Sequence, residues 1–380
     1  QLFTRNSLST TLPLLGNNIE LKYGMEYKVD RLKAGSSDFK QTHYFLNKVG
    51  VDYSIRYHKG FVAFDFPLNV FSSSISWSET NKSDTKIYIS PSIHWKHDLS
   101  PFWRLKILGS LDDDLDNSIM YSDSILTNYR TWVNPSERFG WKHLSSLLFS
   151  VNYANFITMF TWNLTASASW RKTDHHNQYS YEERYTVITP IWADTHSHMF
   201  LIQTSVDKTF TQIGFSAKGT VNYTRNILPV TQNNVQQTVK SNILSPSMKL
   251  RWNKLTWLQL SNEATFNLSW QDYYQNHAGY SLRSWFDEFN IYLYPLRKIS
   301  VSTGCEYSSI ETEKGKYNRN AFVDARITYT PTKRLELGAK LSNVFNRSQY
   351  IEASYTGLNY QYYSVPLRGR EILFCVKCNL

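Results

Sequence analysis

The stretch Arg368–Leu380 reads RGREILFCVKCNL and decides the fold class. From Ile372 onward it alternates strictly between two sets of side chains. One set is apolar, with Ile372, Phe374, Val376, Cys378 and Leu380, and the other is mixed, with Leu373, Cys375, Lys377 and Asn379. Because successive side chains of a strand point to opposite faces, this pattern predicts a strand with one apolar and one mixed face.

The same alternation recurs upstream with a strongly charged second face. The segment 19–30 sets Ile19, Leu21, Tyr23, Met25, Tyr27 and Val29 against Glu20, Lys22, Glu26, Lys28 and Asp30. Five ionisable groups on one strand face would be costly in a dry core, but they suit a water-filled or protein-plugged lumen. The sequence therefore predicts an all-β fold, a transmembrane antiparallel β-barrel that occupies residues 1–380, with the last strand closing it.

Composition supports this class and excludes others. The 380 residues include 26 Tyr, 21 Phe and 12 Trp, yet no apolar run reaches the 18 or so residues that a membrane helix needs. The net charge of +10 comes from Lys and Arg scattered among acidic residues, which does not favour nucleic-acid binding. Three cysteines give no disulfide framework, and Cys305 and Cys378 fall on the predicted lipid face.

Short turns and longer loops alternate along the predicted strands. We expect short turns near 16, 59, 99, 154, 208, 254, 296 and 332, and longer loops near 36, 82, 128, 183, 232, 277, 315 and 356. The pattern predicts about 17 strands of about 11 to 14 residues, the first of them incomplete. Outer-membrane barrels keep short turns in the periplasm and long loops outside, so the loops 112–143, 171–194 and 344–367 are predicted to be extracellular. Aromatic residues cluster at strand ends, which is typical of membrane-interface belts.

The predicted inward face carries charges of both signs, which is what a polar plug surface or permanent water requires. The predicted lumen-lining residues are Glu20, Lys22, Glu26, Lys28, Asp52, Arg56, Arg104, Lys106, Lys218, Glu263, Asp324, Arg326, Glu336 and Lys340.

Two loop segments contain residues that could bind metal. His175, His176, His196 and His198, with Asp174 and Asp194, are candidate ligands for a transition metal, or else ordinary polar residues of an exposed loop. The acidic run 112–116 could hold calcium, but it lacks the glycine and the distal glutamate of a calcium loop, which favours a solvated acidic turn. No phosphate-binding glycine loop or nucleophile elbow is present, so we expect no enzyme activity and no cofactor.

The carboxyl end resembles that of a known family. Asn343, Phe345 and Asn346 match an Asn–Phe–Asn cluster that follows the penultimate strand in TonB-dependent outer-membrane receptors, in the large aromatic-rich branch with an extra amino-terminal domain. Leu367, Arg368 and Arg370 match the segment before their final strand, with Gly369 where proline is usual. The segment 126–130, LTNYR, also resembles that branch, whereas Leu380 stands where an aromatic residue is commoner.

The resemblance implies a barrel of about 22 strands, filled by an amino-terminal plug and energised through the TonB system. It also implies a nutrient ligand (a glycan, a peptide or a metal chelate) and a surface substrate-binding lipoprotein as a further partner. Neither plug nor signal peptide is seen in the sequence, so we expect the chain to be the carboxyl-terminal part of a longer or split receptor. The alternatives are a stand-alone porin or structural barrel of about 16 to 18 strands, and a soluble sugar-binding β-protein.

Overall fold

The computed structural model describes residues 2–14, 17–32, 40–77, 80–116, 124–128, 130–134, 140–273, 280–332, 334–356 and 359–378. Regular structure in these ranges is almost entirely strand, with one 3-10 turn at Thr211–Ile213. Within them no helix is long and apolar enough to cross a membrane. The predicted all-β class is therefore confirmed.

The strands follow one another along the whole described chain. Their bounds are β1 Leu2–Leu14, β2 Asn17–Leu32, β3 Lys40–Tyr57, β4 Gly60–Trp77, β5 Thr80–Ile89, β6 Ser92–Asp98, β7 Trp103–Asp116, β8 Ile125–Asn128, β9 Thr131–Val133, β10 Gly140–Asn155, β11 Phe160–Thr173, β12 His176–Tyr181, β13 Thr186–Ile191, β14 Thr195–Phe210, β15 Phe215–Gln232, β16 Val235–Leu255, β17 Leu258–Tyr273, β18 Tyr280–Leu296, β19 Ile299–Glu313, β20 Lys316–Thr332, β21 Leu335–Ser342, β22 Gln349–Thr356, β23 Asn359–Pro366 and β24 Glu371–Cys378.

The chain divides into two compact units. Unit 1 comprises residues 1–151, 166–200 and 226–239, and unit 2 comprises residues 152–165, 201–225 and 240–380. In unit 1, β1 to β4 pair in sequence order as antiparallel hairpins, β4 also pairs with β5 and β6, and β6 pairs with β7. In unit 2, β17 to β21 pair in sequence order and β21 pairs with β24, while β22 and β23 form a separate two-stranded sheet.

The ladder register gives the unit 1 sheet one charged face. Glu20 lies opposite Asp52, which lies opposite Asp65 on the next strand. One residue further along, Leu21, Val51 and Phe66 lie opposite one another on the other face, with 40%, 40% and 53% of each residue exposed. Residues paired across antiparallel strands share a face, so the sequence alternation becomes two chemically distinct surfaces.

Unit 2 shows the same division between its faces. Arg326 and Lys340 lie opposite each other, and the neighbouring positions Ile327, Leu337 and Val376 form an apolar face. Ile327 is 49% exposed and Val376 66% exposed. Large apolar side chains thus lie on an exposed face of this sheet instead of in a core.

Burial is inverted relative to an ordinary soluble domain. Among the described residues, six apolar side chains are buried, namely Val29, Ile75, Val239, Ala264, Leu282 and Ile310. Eleven polar or charged residues are buried, among them Asn69 and Ser73, which are each 1% exposed. In water this distribution would leave most of the apolar surface solvated, which favours a protein whose apolar sheet faces meet lipid.

Several predicted turns and strand lengths need correction. The turn expected near 154 lies at 156–159, and the one expected near 208 lies at 211–214, because both strands continue beyond the predicted position. The loops expected near 232 and 315 are tight turns instead. Asn233 and Asn234 have φ of 46° and 67°, and Gly315 has φ of 78°, which are values suited to short hairpin connections. Strands therefore run longer than predicted, up to the 21 residues of β16.

The three long predicted loops contain strands. The segment 112–143 contributes the end of β7 and the hairpin β8–β9, 171–194 contains the hairpin β12–β13, and 344–367 contains the hairpin β22–β23. In unit 1, β13 pairs in parallel with β9, and β12 pairs in parallel with β15. These pairings satisfy backbone groups that an open loop would leave to water.

The predicted strand number agrees with the structure once these hairpins are set apart. Of the 24 strands, six belong to the three hairpins, and β5 and β6 both pair with β4 as interrupted parts of one segment. This leaves 17 long segments among the described residues. The first segment, β1, pairs with β2 over all 13 of its residues, and its predicted incompleteness stays a prediction.

Candidate functional site: the polar face of the sheet

Charged residues of the predicted lining form ion pairs along the polar face of unit 1. Lys22 Nζ donates a hydrogen bond to Asp52 Oδ2 and lies 3.6 Å from Glu20 Oε2. Arg5 Nη2 lies 2.8 Å from Glu26 Oε2. Because most of these side chains are a third or more exposed, each ion pair contributes little to the free energy of unfolding. Mixed signs thus neutralise one another locally.

The other predicted lining residues divide between paired and unpaired positions. Arg104 Nε lies 2.9 Å from Asp98 Oδ1, and Lys340 Nζ lies 3.0 Å from Asp324 Oδ2. Lys106 lies opposite Lys96 in the register, a like-charge pairing that requires water or a counter-ion beside it. The structure shows which of these side chains share a sheet face; that this face lines a lumen stays a prediction.

Unit 1 fills part of its polar face with aromatic rings and a lysine. We call Tyr44, Phe71, Lys86, Asp113 and Trp141 the filled patch. The ring centroids of Phe71 and Trp141 are 5.6 Å apart and nearly perpendicular, and Tyr44 lies 6.3 Å from Phe71. Lys86 Nζ lies 4.3 Å from the centre of the Trp141 ring and 2.9 Å from Asp113 Oδ2. Cation–π and ion-pair contacts thus meet on one lysine.

Further polar contacts hold the filled patch in place. The indole N–H of Trp141 donates to Asp84 Oδ2 at 3.1 Å, and its backbone N–H donates to Asp174 Oδ1 at 3.0 Å. His143 Nδ1 lies 2.5 Å from Asp113 Oδ1. Sequence reasoning missed this patch because it placed Trp141 and His143 in an irregular loop, whereas both lie in β10.

Unit 2 leaves a hollow on its polar face. We call this the open pocket; it has a volume of about 310 Å³. One row of the ladder places Glu263, Glu288, Glu306 and Phe322 directly opposite one another on β17 to β20. The next row contains Thr265, Phe286 and Ser308, and the lining is completed by Asp287, Tyr307 and Tyr350.

Tyr350 reaches the open pocket from the β22–β23 hairpin. Its ring centroid lies 6.4 Å from that of Phe322 on β20. The hairpin is therefore folded against the polar face of its own unit. Sequence periodicity could not show this contact, because Phe322 and Tyr350 belong to different sheets.

The asparagines that carried the family resemblance connect the ends of this hairpin. Asn343 Nδ2 donates to the carbonyl oxygens of Arg347 and Arg368, both at 2.8 Å, and Asn343 Oδ1 accepts from the Arg347 N–H at 2.8 Å. Asn346 Oδ1 accepts from the Arg370 N–H at 2.9 Å. Asn343 and Asn346 have φ of 52° and 54°, a left-handed conformation that asparagine tolerates well. We call this set the asparagine clamp.

The candidate metal ligands are not brought together. His175 is buried, with Nδ1 2.7 Å from Asp174 Oδ1, and His176 Nε2 lies 2.7 Å from Thr231 Oγ1. Burial lowers the pKa of His176. His196 and His198 are exposed on β14. In the part of the chain that the structure describes, no group of three or more His, Cys, Asp or Glu is placed to hold a metal ion.

Two further acids, Asp194 and Asp113, have lysine partners. Asp194 Oδ2 lies 2.8 Å from Lys172 Nζ, and the hydrogen bond from that lysine lowers the pKa of Asp194. The acidic run 112–116 lies at the end of β7 and not in a loop, and its member Asp113 contacts Lys86 and His143. These contacts give Asp113 and Asp194 structural roles.

An aromatic cluster lies at the short-turn end of unit 1. The indole N–H of Trp95 donates to Tyr57 Oη at 3.0 Å, and Tyr57 Oη donates to the Lys96 carbonyl oxygen at 3.2 Å. The ring of Trp95 stacks on that of His97 at 5.8 Å. Such rings, apolar with a polar edge, suit the boundary between lipid and water.

No protein-family model and no curated protein matches the chain. Among solved structures, it is similar to the ferric-catecholate import receptor Fiu from Escherichia coli, with 9% identity, a TM-score of 0.34, and coverage of 99% of this chain and 79% of that chain. It is also similar to the FrpB iron transporter from Neisseria meningitidis, with 9% identity, a TM-score of 0.42, and coverage of 99% and 71%. A third is the ferric enterobactin receptor PfeA from Pseudomonas aeruginosa, with 9% identity, a TM-score of 0.35, and coverage of 99% and 77%.

Proposed function

We propose that the chain forms the wall of an outer-membrane receptor that imports a nutrient by TonB-dependent transport. The observation that supports this most is the sidedness of the strands: an exposed apolar face on one side and a mixed-charge face on the other. Backbone groups within lipid must all be paired, and long antiparallel hairpins with short turns satisfy this requirement. The residues of the asparagine clamp, which resemble the receptor family, add to this support.

In this proposal the polar face surrounds the transport path. A plug domain and the TonB system supply gating and energy, and a surface lipoprotein delivers the ligand. The mixed charges around Lys22, Asp52 and Asp65 suit a surface that faces another polar surface or water, since unpaired charges in a dry core are costly. The ligand belongs to the class of glycans, peptides or metal chelates.

Uptake in whole cells tests this function. Cells that produce the chain with its genomic neighbours are supplied with single glycans, peptides or metal chelates, and growth is compared before and after removal of the energy transducer. We expect uptake of one ligand class that stops when the inner-membrane proton gradient is collapsed. Uptake that persists without energy would show a passive porin and contradict the proposal.

The proposal also fixes an orientation. We expect the hairpins β8–β9, β12–β13 and β22–β23 outside the cell, with the short turns in the periplasm. Cysteine variants at Asp114 and Thr332 are treated with an impermeant thiol reagent on intact cells. Labelling at Asp114 alone fits the proposed orientation, whereas labelling at Thr332 alone inverts it.

A further inference from the structure

The open pocket of unit 2 combines acidic and aromatic side chains without a matching number of cations. On the face that carries Glu288, the lining has three carboxylates and three aromatic rings, and none of the ten lining residues is Lys or Arg. The three carboxylates are those of Glu263, Glu288 and Glu306, since the side chain of Asp287 alternates to the other face of the sheet. Cations are present further along the same face, where Arg326 and Lys340 lie opposite each other on β20 and β21.

The carboxylates of the pocket are only partly compensated. Glu263 bonds Lys249, and Glu288 Oε1 accepts from Asn290 Nδ2 at 2.6 Å. Glu306 is exposed and lies directly opposite Glu288. Like charges directly opposite each other on adjacent strands repel, so a cation placed between them is favourable.

The aromatic walls indicate what kind of cation fits. Phe286, Phe322 and Tyr350 line the same hollow, and the last two have ring centroids 6.4 Å apart. Ring faces attract alkylammonium groups, but they offer no lone pair to a metal ion. The carboxylates lie in a row across three strands, and no group of three or more potential ligands among the described residues is placed to hold a metal.

We propose that the open pocket binds an organic cation, with an ammonium group between the carboxylates of Glu288 and Glu306 and its alkyl substituents against Phe322 and Tyr350. The volume of about 310 Å³ admits a small ammonium group with its substituents. Because Tyr350 belongs to the β22–β23 hairpin, occupancy also holds the hairpin against the sheet. This inference goes beyond the proposed function, since binding to the purified chain requires no transport.

Calorimetric titration of the full chain in detergent micelles tests the proposal. Choline, tetraethylammonium and 3,3-dimethylbutan-1-ol are the probes; the last has the shape of choline without its charge. We expect saturable binding of choline or tetraethylammonium, with the uncharged alcohol about tenfold weaker or more. Equal binding of choline and the alcohol, or no saturable binding of either cation, overturns the proposal.

Matched variants locate the site. Glu306→Gln and Phe322→Leu should each weaken binding of the cation about fivefold, by loss of charge and of a ring face. Glu336→Gln, on the same polar face but outside the lining, should leave binding unchanged. An equal loss in Glu336→Gln places the effect in the general field of the face and overturns the site. Glu306 is exposed, so its variant decides the matter even if Phe322→Leu folds poorly.

Failure of this test and failure of the proposed function have different signatures. Cation binding with no energy-dependent uptake contradicts the receptor function and leaves the site intact. Energy-dependent uptake without cation binding contradicts the cation site and leaves the receptor function intact.

Discussion

The filled patch of unit 1 and the open pocket of unit 2 are built on the same kind of polar sheet face. In the filled patch, Lys86 contacts both the Trp141 ring and Asp113, so the carboxylate and the ring face share a cation that belongs to the patch itself. In the open pocket, Glu288 and Glu306 lie side by side with no lysine or arginine in the lining. The difference shows that residue choice at a few register positions decides whether a polar face is closed by its own side chains or left available.

The two regions also differ in which elements build them. The filled patch draws on the long strands β3, β4, β5, β7 and β10. The open pocket depends on Tyr350 from a hairpin that pairs with no long strand among the described residues. We therefore expect the filled patch to contribute to stability and the pocket to contribute to binding.

Truncation of one aromatic residue in each region gives the largest expected difference. Trp141→Ala should lower the free energy of unfolding by about 3 kcal/mol, because it removes a large ring together with the contacts of Phe71 and Lys86. Phe322→Ala should cost about 1 kcal/mol, since its ring borders a hollow. Urea unfolding in liposomes, followed by tryptophan fluorescence and by a heat-shift gel assay, measures both. Equal losses would mean that the two regions do not differ as described.

A substitution in the asparagine clamp should weaken the attachment of the β22–β23 hairpin without changing any residue that lines the open pocket. Asn343→Gly keeps a residue suited to φ of 52° but removes three hydrogen bonds, at a cost of about 1 to 2 kcal/mol. Limited proteolysis of the β22–β23 hairpin should become faster in this variant. Asn233→Gly, at a hairpin turn in unit 1, is the control and should not change the rate at which the β22–β23 hairpin is cleaved. Unchanged cleavage in Asn343→Gly would show that other contacts hold the hairpin.

Removal of one lysine from each region gives the smallest expected difference. Lys86→Met should cost about 1 kcal/mol, because the side chains of Lys86 and Asp113 are 25% and 17% exposed. Lys249→Met should cost about 0.3 kcal/mol, because it pairs with Glu263 at a more exposed position. The same unfolding assay applies to both. A larger loss for Lys249→Met would contradict the view that the lysine pair contributes more to stability in the filled patch than at the open pocket.

Much of the fold could be predicted because strand alternation is a local property. The apolar and charged sets of β2, and the number of long segments, follow from side-chain periodicity alone. The hairpins in the long loops could not, because parallel pairings such as Thr186 with Thr131 join distant stretches that carry no strict alternation. The tight turn at Asn233–Asn234 could have been predicted from the sequence, since two consecutive asparagines suit positive φ.

The candidate site was only partly predictable for the same reason. Glu263 was assigned to the polar face from its neighbours in sequence. Its alignment with Glu288 and Glu306 depends on the register of three strands, which turn lengths set. The role of Asn343 depends on the carbonyl groups of Arg347 and Arg368, which converge on its amide and are distant from each other in sequence.

The proposed function depends on an alternation along each strand between residues that face lipid and residues that face polar surroundings. Spin labels at Ile327 and Arg326 test this alternation, each introduced as a single cysteine after Cys305, Cys375 and Cys378 are replaced by alanine. In liposomes, the label at 327 should collide more with oxygen, which concentrates in lipid, and the label at 326 more with a water-soluble nickel chelate or with neither reagent. The reverse pattern, or equal exposure of both labels to the nickel chelate, would contradict the assignment of the two faces.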